Sequence, residues 1–212
     1  LAARILGIPI IIHESDAIPG RSNQLAGRWA KTVELGFPSA AQYLGSPTSE
    51  ILKVTGNPVR EELLIFVDKA EARRVFNLEV DRPTTLILGG SQGATRINDF
   101  IFNNLEALLL KYQVIHAVGN ENYLAYAEKV KRPMFNVKGY YLTAYLENNL
   151  REAYAAADVV VARAGAQTIF ELAALGKPSI LVPLPEAAAD HQKQNAYQYA
   201  ETGAAVVLEQ EN

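Results

Sequence analysis

Short apolar runs rich in β-branched residues recur along this chain, each bounded by glycine, proline or asparagine and separated from the next by a stretch of helical period. Few folds satisfy that alternation, and the simplest is an α/β architecture of parallel strands joined by crossover helices. The runs predict strands at residues 9–13, 32–35, 84–88, 114–118, 135–138, 159–162, 179–182 and 205–208. Several are apolar throughout rather than alternating, so both sheet faces should lie under helices. Ile97, Phe100, Ile101, Leu105 and Leu108 recur at three- and four-residue intervals and mark one amphipathic helix. Ile169, Leu172 and Ala173 mark another, expected to stop at Gly176 ahead of Pro178.

Composition enters as a set of exclusions. A chain of 212 residues, 49% hydrophobic and 20% charged, can bury a sizeable core. Its net charge of -3, with lysine and arginine scattered, offers no footprint for nucleic acid. It has no cysteine, hence no disulfide framework and no thiolate zinc site, and no run approaches the roughly 18 apolar residues needed to cross a bilayer. A reducing cytoplasm fits. The first residues lack an initiator methionine and read as a helix tail running into a strand, and Glu209 to Asn212 end abruptly, so the chain is expected to be cut from something longer. The segment Gly56-Asn57-Pro58-Val59-Arg60 is the expected boundary. About 60 residues before it are too few for an independent α/β domain, which makes 1–60 the remnant of one domain and 61–212 another.

Gly89-Gly90-Ser91-Gln92-Gly93 follows one strand and opens the helix carrying Ile97. Unpaired amides there should point into the crevice at a strand's C-terminal end, where an anion can sit; the same turn can also be plain fold punctuation. Arg163-Ala164-Gly165-Ala166 is a second glycine turn, with Glu171 in the first two turns of the helix it opens. Glu171 is about 160 to 200 degrees around that helix from Ile169 and Ala173 and should face away from the buried stripe. It is then either a solvated surface residue or a carboxylate accepting hydrogen bonds from a ribose diol. Gln192, in Asp190-His191-Gln192, suits sugar hydroxyls, beside the plainer reading of a helix start capped by Asp190; His191 is taken as structural. Arg60 can meet a diphosphate or a glutamate across a cleft, or remain a surface arginine. His13-Glu14, at a strand end, is a proton-transfer pair, a metal fragment or a structural hydrogen bond; with no third ligand in view, metal is not expected.

In order, His13-Glu14 with Pro19-Gly20 and Asn23, Gly56 to Arg60, Gly89 to Ala94, Ala157 to Val161, Arg163 to Ala166 with Thr168 and Glu171, and Asp190-His191-Gln192 with Asn195-Ala196 resemble the MurG family over nearly the whole chain. These are membrane-associated glycosyltransferases that add N-acetylglucosamine to lipid I in peptidoglycan synthesis. The resemblance implies a two-domain GT-B fold with Rossmann-like parallel sheets. It implies UDP-N-acetylglucosamine (UDP-GlcNAc) as donor, and undecaprenyl-pyrophosphoryl-MurNAc-pentapeptide (lipid I) as acceptor. It also implies a peripheral position on the inner leaflet of the cytoplasmic membrane, docked mostly through an N-terminal region outside these residues, with no cofactor and no metal.

By the same resemblance Arg60, Ser91, Leu146, Ala166, Gln167, Thr168, Ile169, Phe170, Glu171 and Gln192 bind the donor, and Gly89, Gly90, Gln92 and Gly93 form the phosphate loop. His13, Glu14 and Asp16 lie on the acceptor side, Asp16 standing where many relatives carry asparagine. The family's proton acceptor is associated with a glycine-rich loop ending in histidine that this sequence lacks. No catalytic residue is therefore assigned, and the chain is expected to bind donor yet transfer sugar poorly. Two other readings remain at this stage: another GT-B enzyme, such as a nucleotide-sugar epimerase or a glycolipid glycosyltransferase, or a non-catalytic nucleotide-sugar-binding module.

Overall fold

The computed structural model describes residues 2–45, 50–89, 94–130, 138–185 and 190–210. In chain order they form α1 (Ala2–Ile5), β1 (Ile11–Glu14), α2 (Arg21–Gly27), β2 (Thr32–Leu35), β3 (Leu52–Val54), α3 (Lys69–Val75), β4 (Thr84–Leu88), α4 (Thr95–Asn103) and α5 (Leu105–Lys111). There follow β5 (Gln113–Ala117), α6 (Asn120–Val130), β6 (Tyr140–Thr143), α7 (Leu150–Ala156), β7 (Val159–Ala162), α8 (Ala166–Ala174), β8 (Ser179–Leu181), α9 (His191–Ala200) and β9 (Ala205–Val207).

Two parallel sheets result, one ordered β1-β2-β3 and the other β6-β5-β4-β7-β8-β9. The second begins at its centre with β4, winds outward through β5 and β6, and then returns to β7 on the other side of β4. That is the doubly wound Rossmann order, with its switch point between β4 and β7. Every residue of β5 is buried, as a strand covered on both faces requires. The largest core cluster packs Leu86, Ile115 and Val160 of the sheet against Phe76, Tyr154, Ile169 and Leu172 of the helices.

The expected strands at 32–35, 84–88 and 159–162 form with the same bounds, and four others differ by one or two residues. Of the strand expected at 135–138, Lys138 lies in a turn and 135–137 fall outside the described residues; the run that pairs with β5 is Tyr140–Thr143. Gly139, with φ +82°, turns the chain so that Tyr140 meets Val114 across the ladder. The single helix expected through Leu108 is two. Asn104 leaves the helical region and donates its side-chain amide to the Phe100 carbonyl at 2.8 Å, the local competition that ends helices. Phe100 and Ala173, both counted in buried stripes, are exposed. Helix α8 ends as expected, with Gly176 at φ +59° and Lys177 N–H returning to the Leu172 carbonyl at 2.9 Å.

Two polar networks fix the helices around the sheet. His116 of β5, fully buried, meets Asn98 Oδ1 of α4 through Nε2 at 3.1 Å and the Tyr140 hydroxyl through Nδ1 at 3.0 Å. Burial pushes this imidazole down from an ordinary 6.5 to about 4. Asp158, just before β7, accepts from Arg73 Nη2 of α3 at 2.6 Å, from Thr84 N–H at 2.7 Å and from Lys69. Burial works against its charge, but those three donors outweigh it and hold the carboxyl below its usual 3.8.

Candidate functional site

A cavity of about 480 Å³ opens at the switch point. Its walls are the residues that directly follow strand ends: Leu88 and Gly89 at β4, Ala117 at β5, Tyr145 and Leu146 beyond β6, Arg163 and Gly165 beyond β7, and Leu184 beyond β8. Parallel strands put all their C-terminal ends on one edge, which is why residues scattered over a hundred positions meet. Helix α8 points its start at this space through Gly165, Gln167 and Thr168. Gly165 at the N-cap makes no side-chain cap, so the first amides of α8 keep their hydrogen-bonding capacity for an anion.

Glu171 is where the structure corrects the sequence reading most. It is 3% exposed, not on a solvated face. The helical wheel correctly turns it away from Ile169, but α7 and the segment around Arg60 enclose α8 on that second side. Its Oε1 accepts from Arg60 Nε at 3.1 Å, Arg60 Nη2 at 2.9 Å and Gln167 Nε2 at 3.2 Å, and its Oε2 accepts from the Tyr154 hydroxyl at 3.1 Å. Burial first, and the neighbouring carboxylate second, raise the Tyr154 phenol, which keeps it a donor. Burial likewise works against the Arg60 charge, but Glu171 outweighs it and leaves that guanidinium's pKa raised.

Of the residues singled out from sequence, Arg60, Gly89, Leu146, Gln167, Thr168, Glu171 and Gln192 line the cavity. Gln192 spends its side-chain carbonyl on Leu184 N–H at 3.1 Å, which leaves its NH₂ as the polar group it can offer to the cavity. Asp190 stands at the N-cap of α9 with φ +56° and makes no side-chain cap, against the capping role considered for it. Ile169 packs in the core, Phe170 sets its ring edge-on to Phe37 at 5.2 Å, and Ala166 is buried at the helix start; none of these three side chains lines the cavity. Gly90, Ser91, Gln92 and Gly93 lie outside the described residues. At Gly89 the space a Cβ would take is bounded by Ala94 N at 3.0 Å and the Ala117 carbonyl oxygen at 3.3 Å, so that glycine serves close backbone packing.

His13, Glu14 and Asp16 lie away from the cavity lining and are held by their own neighbours. His13 Nε2 is 3.0 Å from the Gly56 carbonyl oxygen. Glu14, buried, accepts from Asp16 N–H, Gly20 N–H and Asn23 Nδ2 and so shapes the loop after β1. Asp16 Oδ1 accepts from Asn195 of α9 at 2.7 Å, and Asn195 Oδ1 accepts from Ala17 N–H at 2.7 Å, joining the two sheets. Tyr154 and Arg163 are cavity residues that sequence reasoning did not select. Arg163 donates to the Val182 and Pro183 carbonyls at 3.1 and 3.2 Å, which holds it beside the mouth of β8. Its position beside a glycine turn was a usable signal. Tyr154 shares the cavity with Leu150, one helical turn earlier, but nothing local tells such a face from ordinary core. Among the described residues no three His, Asp or Glu side chains converge as metal ligands, and no helix is long and apolar enough to cross a membrane.

Comparison with known proteins adds independent findings. The family model for the glycosyltransferase family 28 C-terminal domain matches residues 84–212. The chain is 39% identical to the UDP-N-acetylglucosamine--N-acetylmuramyl-(pentapeptide) pyrophosphoryl-undecaprenol N-acetylglucosamine transferase of Moorella thermoacetica, over 98% of this chain and 56% of that protein. It is 37% identical to the protein of the same name from Desulforamulus reducens, with the same coverage of each. The crystal structure of Acinetobacter baumannii MurG superposes with a TM-score of 0.74 at 32% identity, covering all of this chain and 56% of that one. The chain thus spans a little over half the length of the relatives it matches.

Proposed function

Given that this chain belongs to glycosyltransferase family 28, within its MurG branch and with a GT-B fold, we propose that it binds UDP-GlcNAc as part of an inverting N-acetylglucosaminyltransferase acting on lipid I. The observation that carries this reading is the convergence of Glu171, the open start of α8 and Gln192 on one cavity at the switch point. Glu171 accepts the ribose hydroxyls, the α8 amides and Arg163 face the diphosphate, Leu146 packs against the base, and the Gln192 amide meets the sugar. When the acceptor's C4 hydroxyl attacks the anomeric carbon, it gives up its proton to a general base, the bond from the anomeric carbon to the β-phosphate oxygen breaks, and charge grows on the departing UDP. Fixed amide dipoles and guanidinium groups aimed at that charge lower the barrier without reorganising. The relatives' names, which include pyrophosphoryl-undecaprenol, support the acceptor, and a lipid-linked acceptor met by a nucleotide sugar supports work at the cytoplasmic face of the bacterial membrane. Calorimetric titration with UDP-GlcNAc, UDP-glucose and GDP-mannose tests the donor: UDP-GlcNAc should bind tightest and GDP-mannose weakest, and equal affinities would overturn the reading.

A further inference from the structure

Resting on that reading of the cavity, we propose that Arg60 makes the site demand a phosphorylated nucleotide, by occupying Glu171 until a diphosphate draws it away. A carboxylate offers about four acceptor positions. In the free protein Glu171 Oε1 already takes two Arg60 donors and Gln167, and Oε2 takes Tyr154, so at most one position, on Oε2, is left for the two hydroxyls of a diol. A ribose diol therefore has to displace a donor. Tyr154 is buried in the core, and Gln167 also holds the Pro58 carbonyl at 3.2 Å. Gln167 is exposed as well, but its single neutral bond frees one position on Oε1, whereas the Arg60 side chain, 41% exposed, holds two, so its departure is the one that opens room for a diol.

What Arg60 gains on leaving depends on the ligand. A nucleoside offers only neutral hydroxyls, so its diol must break a charge-assisted pair while the guanidinium returns to water. A diphosphate offers anionic oxygens that suit the planar fork of arginine, so the pair is exchanged rather than lost. Arg60 thereby penalises the nucleoside and rewards the diphosphate at a single residue, and the site discriminates on phosphate before any sugar is read.

The test is calorimetry of uridine and of UDP with the wild-type chain, Arg60→Met and Arg60→Lys, each checked by thermal melting. Arg60→Met should bind uridine about fivefold more tightly, because a half-exposed ion pair of about 1 kcal/mol no longer competes. It should bind UDP at least tenfold more weakly, about 1.4 kcal/mol. Arg60→Lys, which keeps the charge and loses the fork, should fall between. In the wild type, uridine affinity should rise with salt as the pair is screened. That readout needs no variant, so a misfolded Arg60→Met leaves the proposal testable. If UDP binds the wild type while uridine affinity falls with salt, stays flat, or is not raised by Arg60→Met, the exchange is wrong and the donor site stands. If neither UDP nor uridine binds the wild type, the donor reading fails first and takes this inference with it.

Discussion

Burying a carboxylate is costly unless its oxygens are met by donors, and Glu171 has four. Their arrangement makes it an acceptor aimed into the cavity rather than a surface charge. Glu171→Gln keeps the shape and removes the charge. It should weaken UDP-GlcNAc binding about 10- to 100-fold, since hydrogen bonds to a charged group contribute about 1.5–3 kcal/mol, while the melting temperature changes little because Arg60 is half exposed. Titration beside thermal unfolding separates the two effects, and unchanged affinity would remove Glu171 from the site. From sequence, Glu171 and Arg60 were both legible as candidates because a glycine turn and an Asn-Pro segment flagged them. That Arg60 could meet a glutamate was an expectation, but which glutamate was not legible, because a helical wheel describes one helix and knows nothing of a second wall.

Helices and strands are held in place by buried polar groups that titrate in separate windows. His116 is depressed from 6.5 to about 4, so the unfolded chain binds its proton first as pH falls. Stability should therefore decline from about pH 6.5 down to about 4 and level off below, by about 3 kcal/mol from this residue. Asp158 is also held below its unfolded value of 3.8, and its contribution persists until pH falls through the lower folded value. Urea unfolding across pH 3 to 7 should show His116→Gln abolishing the upper decline and Asp158→Asn the lower one; identical profiles would contradict this assignment. At this scale the sequence located strands wherever β-branched runs stood alone between turn residues. It missed β3, three residues including Lys53, paired only to β2 and with no pattern of its own. It gave no strand at β6, Tyr140–Thr143, whose pairing register with β5 is set by the tertiary fold.

Across the molecule, the contacts that join the two sheets among the described residues include Asn195 to Asp16 and Ala17, Ser39 to Gln198, Gln167 to Pro58, Phe37 to Phe170, and Arg60 to Glu171. Asn195, fully buried, carries two of these from the helix that also presents Gln192. Asn195→Ala would leave Ala17 N–H and an Asp16 oxygen without their partner, lowering stability by about 2 kcal/mol. The same change should weaken UDP-GlcNAc binding, because α9 loses its seat on the first sheet. A shift in the urea midpoint without loss of affinity would limit Asn195 to stability. By itself the sequence determined the α/β class, the parallel strands and the residue types at the C-terminal strand edge, because these follow from local periodicity and from the order of the runs. Tertiary structure decided which candidates share the cavity and which, like His13, Glu14 and Asp16, hold a loop or join the sheets. Those outcomes depend on strand order and on contacts between residues more than a hundred positions apart, which no local window contains.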